Sequence, residues 1–231
     1  MTSPSPGANQ TVMVLVAHPR ADSFNHALAK AVAARLHTLG YAVAWHDLYA
    51  EQFDPILRPG EAYTSGDQAS LVAEVSDDPL LRRHRQELQE AMGLVVVHPN
   101  WWGKPPAILT GWLDRVLVPG VAYQLAEGGD LPRSLVQVRR LLIVNTGDTP
   151  PDREREVFGD PLNRIWRDCV APYIGDPIVD RVMYAVVAAA SDDVRNTWLE
   201  DVVRRVDRLF PPKRDWPPEI SRQPAVWLPG R

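Results

Sequence analysis

The chain has 231 residues, 45% hydrophobic and 23% charged, an ordinary balance for a soluble globular protein with one sizeable core. Its net charge of -4, with Lys and Arg scattered, leaves no basic patch for nucleic acid, and no stretch approaches the roughly 18 apolar residues of a membrane span. The single cysteine, Cys169, excludes an internal disulfide, and the polar opening Met1 to Gln10 lacks the regions of a secretion signal, so a cytoplasmic protein is expected.

Residues 1–10 read as a flexible segment. Val12 to Ala17 is a short apolar run of the kind buried on both faces of a parallel sheet. Asp22 and Ser23 then offer capping oxygens to a helix over Phe24 to Leu39, closed by Gly40, and Tyr41 to Leu48 is a second strand. Residues 49–79, with Pro55, Pro59, Gly60, Gly66 and Pro79, read as a long surface loop. A helix over Pro79 to Met92 leads into a third strand, Gly93 to His98. Pro105 and Pro106 open a helix through Val116, and Arg140 to Thr146 is a fourth strand. Asp152 to Val170 reads as helix interrupted at Pro161, with a fifth strand inside Ile178 to Ala190 and an amphipathic helix over Asp192 to Leu209. Residues 211–231 are a Pro/Trp-rich tail that cannot be helical.

This alternation predicts one α/β domain over residues 11–210, a doubly wound five-stranded parallel sheet of flavodoxin-like order 2-1-3-4-5. Ligands of such sheets bind outside the carboxyl ends of the strands, where the strand order reverses. Three loops meet there. The first, His18 to Asn25, precedes a helix N-terminus and suits a phosphate, although capping by Asp22 or Ser23 explains it as well. The second holds adjacent tryptophans, Trp101 and Trp102, either a stacking surface for a planar ring or a hydrophobic lid or subunit contact. The third, Asn145 to Pro150, offers backbone donors around Gly147. Dinucleotide, P-loop, metalloprotease and hydrolase motifs are absent from the sequence. His37, His46 and His84 read as surface residues, and Cys169 as packed within a helix.

The pieces VAHPRADSFNHALA (Val16 to Ala29), DLYAEQFDPIL (Asp47 to Leu57), HPNWWGKPPAILTGWLDRVLVPGVAY (His98 to Tyr123), NTGD (Asn145 to Asp148) and FGDP (Phe158 to Pro161) resemble the NAD(P)H:quinone oxidoreductase family. That family lies in the flavodoxin-like superfamily, alongside the modulator-of-drug-activity proteins and the potassium-efflux ancillary reductases. The resemblance implies that His18, Ser23, Phe24, Asn25 and Ala27 hold a flavin's phosphate and ribityl chain. It places Pro99, Asn100, Trp101, Trp102 and Gly103 against the isoalloxazine, and Asn145, Thr146, Gly147 and Asp148 at its pyrimidine side. Arg195 aligns with an arginine near the adenine of FAD-using members, and reads equally as a solvated helix-terminal residue. FAD is therefore the expected cofactor, with FMN the alternative and NAD(P)H the co-substrate. The implied reaction is ping-pong hydride transfer to a quinone, nitro or azo acceptor by a homodimer. The alternative is a flavin-binding regulatory or electron-transfer subunit serving a protein partner. Two departures stand out: Asp148 replaces the last glycine of the mammalian-type turn, and Phe158 stands where those relatives keep a histidine.

Overall fold

A computed structural model describes residues 10–62, 78–124 and 133–212. The segments expected over 1–10, 49–79 and 211–231 therefore lie partly outside the described residues: 1–9, 63–77 and 213–231.

Strands β1 (Thr11–Val16), β2 (Ala42–Asp47), β3 (Ala91–Pro99), β6 (Arg140–Gly147) and β7 (Ile178–Ala185) form one parallel sheet in the order β2-β1-β3-β6-β7. This is the expected 2-1-3-4-5 arrangement. A two-residue antiparallel pair, β4 (Tyr123–Gln124) with β5 (Arg133–Ser134), stands apart from it. It is too short to carry any periodicity, so the sequence offers no sign of it.

The apolar strands alternate between two cores, as a period of two requires when helices cover both faces. Met13, Leu15, Leu94, Val96, Leu141 and Ile143 face α2 (Pro79–Glu90) and α3 (Ala107–Val116). Val12, Val14, Val16, Val95, Val97, Leu142 and Val144 face α1 (Phe24–Thr38) and α6 (Asp192–Leu209). Gly40, at φ 91°, closes α1 in the left-handed conformation that its C-terminus calls for.

The region expected as one interrupted helix over Asp152 to Val170 is three pieces. α4 (Pro151–Glu156) ends before Gly159 and Asp160, both at positive φ, and α5 (Pro161–Arg164) runs into a π turn over Ile165–Val170. The wider turn buries Trp166 and Val170 and leaves Cys169 exposed. The expectation of a packed cysteine is corrected: helix periodicity misplaces a residue where the turn is not α.

The described part of the loop after β2 is clamped to α3. A Cβ on Gly111 would stand 2.2 Å from Pro55 O and 2.5 Å from Pro55 Cα, so only glycine permits this approach. One turn on, Arg115 forks the Glu61 carboxylate at 2.9 and 2.7 Å and donates to Asp54 O at 2.7 Å.

Candidate functional site

The carboxyl ends of β1, β3 and β6 lie side by side, and Thr146 ties their three loops together. Asn25 Nδ2 donates to Thr146 Oγ1 at 2.9 Å, and that hydroxyl returns a bond to Asn25 Oδ1 at 3.2 Å. The Thr146 carbonyl accepts from Asn100 N at 2.6 Å. Asn25 and Thr146 are buried, so these bonds are made away from competing water and fix the loops relative to one another.

In the first loop, Ser23 rather than Asp22 caps α1, its Oγ accepting from His26 N at 3.3 Å. The N–H groups of Phe24 and Asn25, at the start of α1, have no intrahelical acceptors and face outward along the helix dipole. His18 Nδ1 accepts from Arg20 N at 3.2 Å, and its ring stands 6.1 Å from that of Trp101. Phe24 leans its ring on Trp198 of α6, and Ala27 lines the groove between α1 and α6, so their side chains point away from the other two loops.

In the second loop, the Asn100 side chain holds the backbone in place. Its Oδ1 accepts from Gly103 N at 2.9 Å and its Nδ2 donates to Glu154 Oε1 at 2.8 Å. Pro99, the last residue of β3, is paired with Thr146. Trp101 and Lys104 bridge each other, lifting Trp102 to 96% exposure at φ 59°. Gly103, at φ 72°, presses on Pro161 at the head of α5.

In the third loop, Gly147 has room for a side chain, its ideal Cβ meeting Asn100 Cβ no closer than 3.6 Å. Asp148 Oδ1 accepts from Ala188 N at 2.8 Å, tying the loop to the turn after β7. Arg195 donates to Val187 O on that same turn at 3.2 Å, while its buried Nε finds no partner among the described residues. Asn145 points inward instead. It is fully buried, donates to His98 Nε2 at 3.0 Å, and accepts from Arg181 Nε at 2.8 Å.

His98, Trp166, Arg181, Asp160 and Glu154 carry this platform from beneath, and the sequence does not single them out. His98 Nδ1 donates to Pro99 O at 2.8 Å, leaving Nε2 bare to accept from Trp166 Nε1 and Asn145 Nδ2, both at 3.0 Å. Arg181 continues the chain to Asp160 at 2.7 Å. Burial holds the His98 imidazole neutral, its pKa lowered to about 4.

His46 and His84 are not surface residues: both are fully buried. His84 lies on the face of α2 that also carries Leu81, Arg85 and Leu88, and Glu51 and Glu87 close over the two rings. His46 Nδ1 lies 3.0 Å from Glu51 Oε1, and Nε2 bonds Glu87. His84 Nε2 lies 3.2 Å from Glu51 Oε2, near its carboxylate but off the hydrogen-bond line. His46, Glu51 and His84 bring ligand-type atoms within 4.8 Å of one another. Trp112 Nε1, however, donates to His84 Nδ1 at 2.9 Å, which puts the ring proton on Nε2. A metal ion would need that nitrogen bare, so the cluster is built as a histidine–carboxylate polar network. Burial raises the Glu51 carboxyl, but the bond from His46 and the close approach of the His84 ring outweigh it and hold the pKa at about 2.

These groups set the acid response. A histidine lowered in the folded state contributes stability above its unfolded pKa and loses it as pH falls towards the folded value. His98, with the buried His84 and half-buried His18 lowered in the same direction, should erode stability as pH falls from 6.5 towards about 4. Glu51 adds a second decline between 4.5 and about 2. Urea midpoints measured against pH should show both, and a midpoint unchanged between about pH 7 and 5 would contradict the first.

Residues 10–195 match the family described as Flavodoxin-like fold. The chain is 32% identical over 215 residues to NAD(P)H dehydrogenase [quinone] 1 of Cavia porcellus, covering 88% of this chain and 78% of that one. The chain belongs to the NAD(P)H:quinone oxidoreductase family. Within this family's fold, the crystal structure of Smu.1420 from Streptococcus mutans superposes with a TM-score of 0.73 at 26% identity, covering 86% of this chain and 99% of that one. An FMN-dependent NADH-azoreductase from Bacillus anthracis, solved with FMN, shares the fold at a TM-score of 0.64 and 16% identity, over 87% and 99% of the two chains. Among the described residues no helix is long and apolar enough to cross a membrane.

Proposed function

We propose that this oxidoreductase is a flavin enzyme of a single domain over residues 11–210, which reduces quinones or similar nitro and azo acceptors with NAD(P)H in a ping-pong cycle. The observation that carries this reading is the bonding of three strand-end loops through Thr146, with the outward N–H groups of α1 on one side and Trp101 and Trp102 on the other. A bound flavin supplies the hydride chemistry, and the protein supplies position and electrostatics.

The residues present fit such a group. The α1 N-terminus, with Ser23, His18 and Asn25 beside it, suits the phosphate. The tryptophan loop, held rigid by Asn100, suits the ring, and the Thr146–Gly147 backbone suits its polar edge. Asn145 acts from behind, by fixing the strand end through His98. The orphaned Nε of Arg195, beside Asp148 and the turn after β7, supports FAD over FMN. Trp102, Val157 and Phe158, exposed around the contact of Gly103 with Pro161, suit the interface of a homodimer. Phe158, half exposed, has no proton to relay, so acceptor protonation falls to solvent or to another group. A cytoplasmic location completes the reading.

The visible spectrum of the purified protein, a chromatogram of any released cofactor, and oxidation of NADH and NADPH in the presence of menadione test it. A protein that neither carries nor takes up flavin would sink the proposal. Bleaching by NAD(P)H without acceptor turnover would point instead to a protein partner. Trp102→Ala should change stability by less than about 0.5 kcal/mol, because the ring is exposed. The same variant should weaken flavin binding or raise the KM for the acceptor by about two- to twelvefold, the worth of one aromatic stacking contact.

A further inference from the structure

Ser23, His26 and Asp47 form a chain of hydrogen bonds from the N-terminus of α1 to the end of β2. Ser23 Oγ lies 2.9 Å from His26 Nδ1, and His26 Nε2 lies 2.8 Å from Asp47 Oδ2. Ser23 and His26 are buried, at 4% and 3% exposure. The other Asp47 oxygen accepts from the N–H groups of Tyr49 and Ala50 at 3.2 and 3.1 Å. With both its oxygens accepting, Asp47 is a carboxylate and His26 Nε2 carries hydrogen.

The consequence falls on Ser23. In the neutral imidazole Nδ1 is bare, so Ser23 turns its hydroxyl hydrogen toward His26 while its oxygen accepts from His26 N. An anion arriving at the helix start then meets a lone pair instead of a donor. When the imidazole takes a proton from solvent, Nδ1 becomes the donor to Ser23 Oγ. The hydroxyl hydrogen is released and can turn to the anion. The order of contacts along the ring, Ser23 on Nδ1 and Asp47 on Nε2, therefore makes the donor capacity of Ser23 depend on one proton.

We infer that His26 couples the binding of a phosphate at Ser23 to the uptake of one proton, with Asp47 setting the tautomer. This rests on the reading of the His18 to Asn25 loop as the flavin-phosphate site. His26 is a positioning residue, acting through Ser23. The charged and titratable groups that face His26 are Asp47 from β2, 2.8 Å away, and His18 on the loop, edge-on with ring centroids 6.5 Å apart; Asp22 and Arg20 act on His18 behind it.

The test is the dissociation constant of FAD, FMN and riboflavin by fluorescence quenching, between about pH 7 and 9, where the FMN phosphate stays doubly charged. For the wild-type protein FAD or FMN should weaken by up to about tenfold per pH unit, the limit for one linked proton, while riboflavin stays level. In Asp47→Asn the amide oxygen keeps the bonds from Tyr49 and Ala50, so its NH2 faces His26 Nε2. That moves the ring hydrogen to Nδ1 without any charge, and the variant should bind with a level profile, tighter than wild type at the alkaline end. A merely structural role would lower affinity equally at every pH. Calorimetry of the wild-type protein in two buffers of different ionisation heat gives the proton count directly, whether or not the variant folds. Tight flavin binding with a level wild-type profile and no proton taken up overturns the coupling alone, as does a variant that keeps the wild-type slope. If no flavin binds at any pH, the flavin reading falls and takes the coupling with it.

Discussion

Replacing Arg115 with methionine should lower the unfolding free energy by about 3–5 kcal/mol, the usual consequence of removing one partner from a buried ion pair. Arg115 is 3% exposed and Glu61 7%, and the two are joined by a fork of bonds at 2.9 and 2.7 Å. Asp54 and Asp78 carboxylates stand further off, at 3.9 and 3.7 Å. Burial raises the Glu61 carboxyl, but the Arg115 bonds outweigh it and hold it below the ordinary range. Methionine keeps the apolar stem and leaves Glu61 without the cation that forks it. A Glu61→Gln change in the same chain should then recover a large part of the loss, because the remaining bond from Arg58 N needs no negative charge. Urea unfolding at neutral pH measures both. A loss below about 1 kcal/mol in the single variant would mean that the pair behaves like a solvated one. Hydrogen exchange should also rise over the described residues 49–62, which the arginine holds against α3.

His98→Leu should cost about 2–4 kcal/mol, because it orphans two donors in a dry site. Trp166 Nε1 loses its acceptor, and Asn145 Nδ2 keeps only a long bond of 3.4 Å to the residue's carbonyl. Adding Trp166→Phe removes one of the orphans, so the double variant should be less destabilised than the sum of the two singles by at least about 1 kcal/mol. Strict additivity would show that the indole and imidazole do not depend on each other. On the proposed function, His98→Leu should also weaken flavin binding, since Asn145 is the neighbour of Thr146 on β6 and loses its short bond to the imidazole, keeping only Arg181 as a close partner.

The sheet was legible because β1, β3 and β6 are short apolar runs whose alternate residues enter opposite cores, so composition and order suffice. The three site loops followed from that order. The sequence does not reveal which side chains in those loops face a ligand. Asn145 looks like a binding residue by position, yet it is drawn inward by His98, which lies 47 residues away in the chain. His46 and His84 look like surface histidines until Glu51 and Glu87 are seen to cover them. His84 could have been found, since it shares the spacing of Leu81, Arg85 and Leu88 on the buried face of α2. Cys169 was misplaced for a different reason: a π turn offsets the helical count, and nothing local in the residues announces it.

The contact between Gly111 and Pro55 restricts how this chain can vary over generations. The hydrogen of Gly111 is the whole allowance for the backbone of Pro55, and the loop that carries Pro55 leads on to Glu61, the partner of Arg115. A descendant acquiring any side chain at 111 must first move the loop, and moving the loop strands an arginine. A side chain at position 111 would therefore be felt at Glu61 and Arg115 as well as at Pro55.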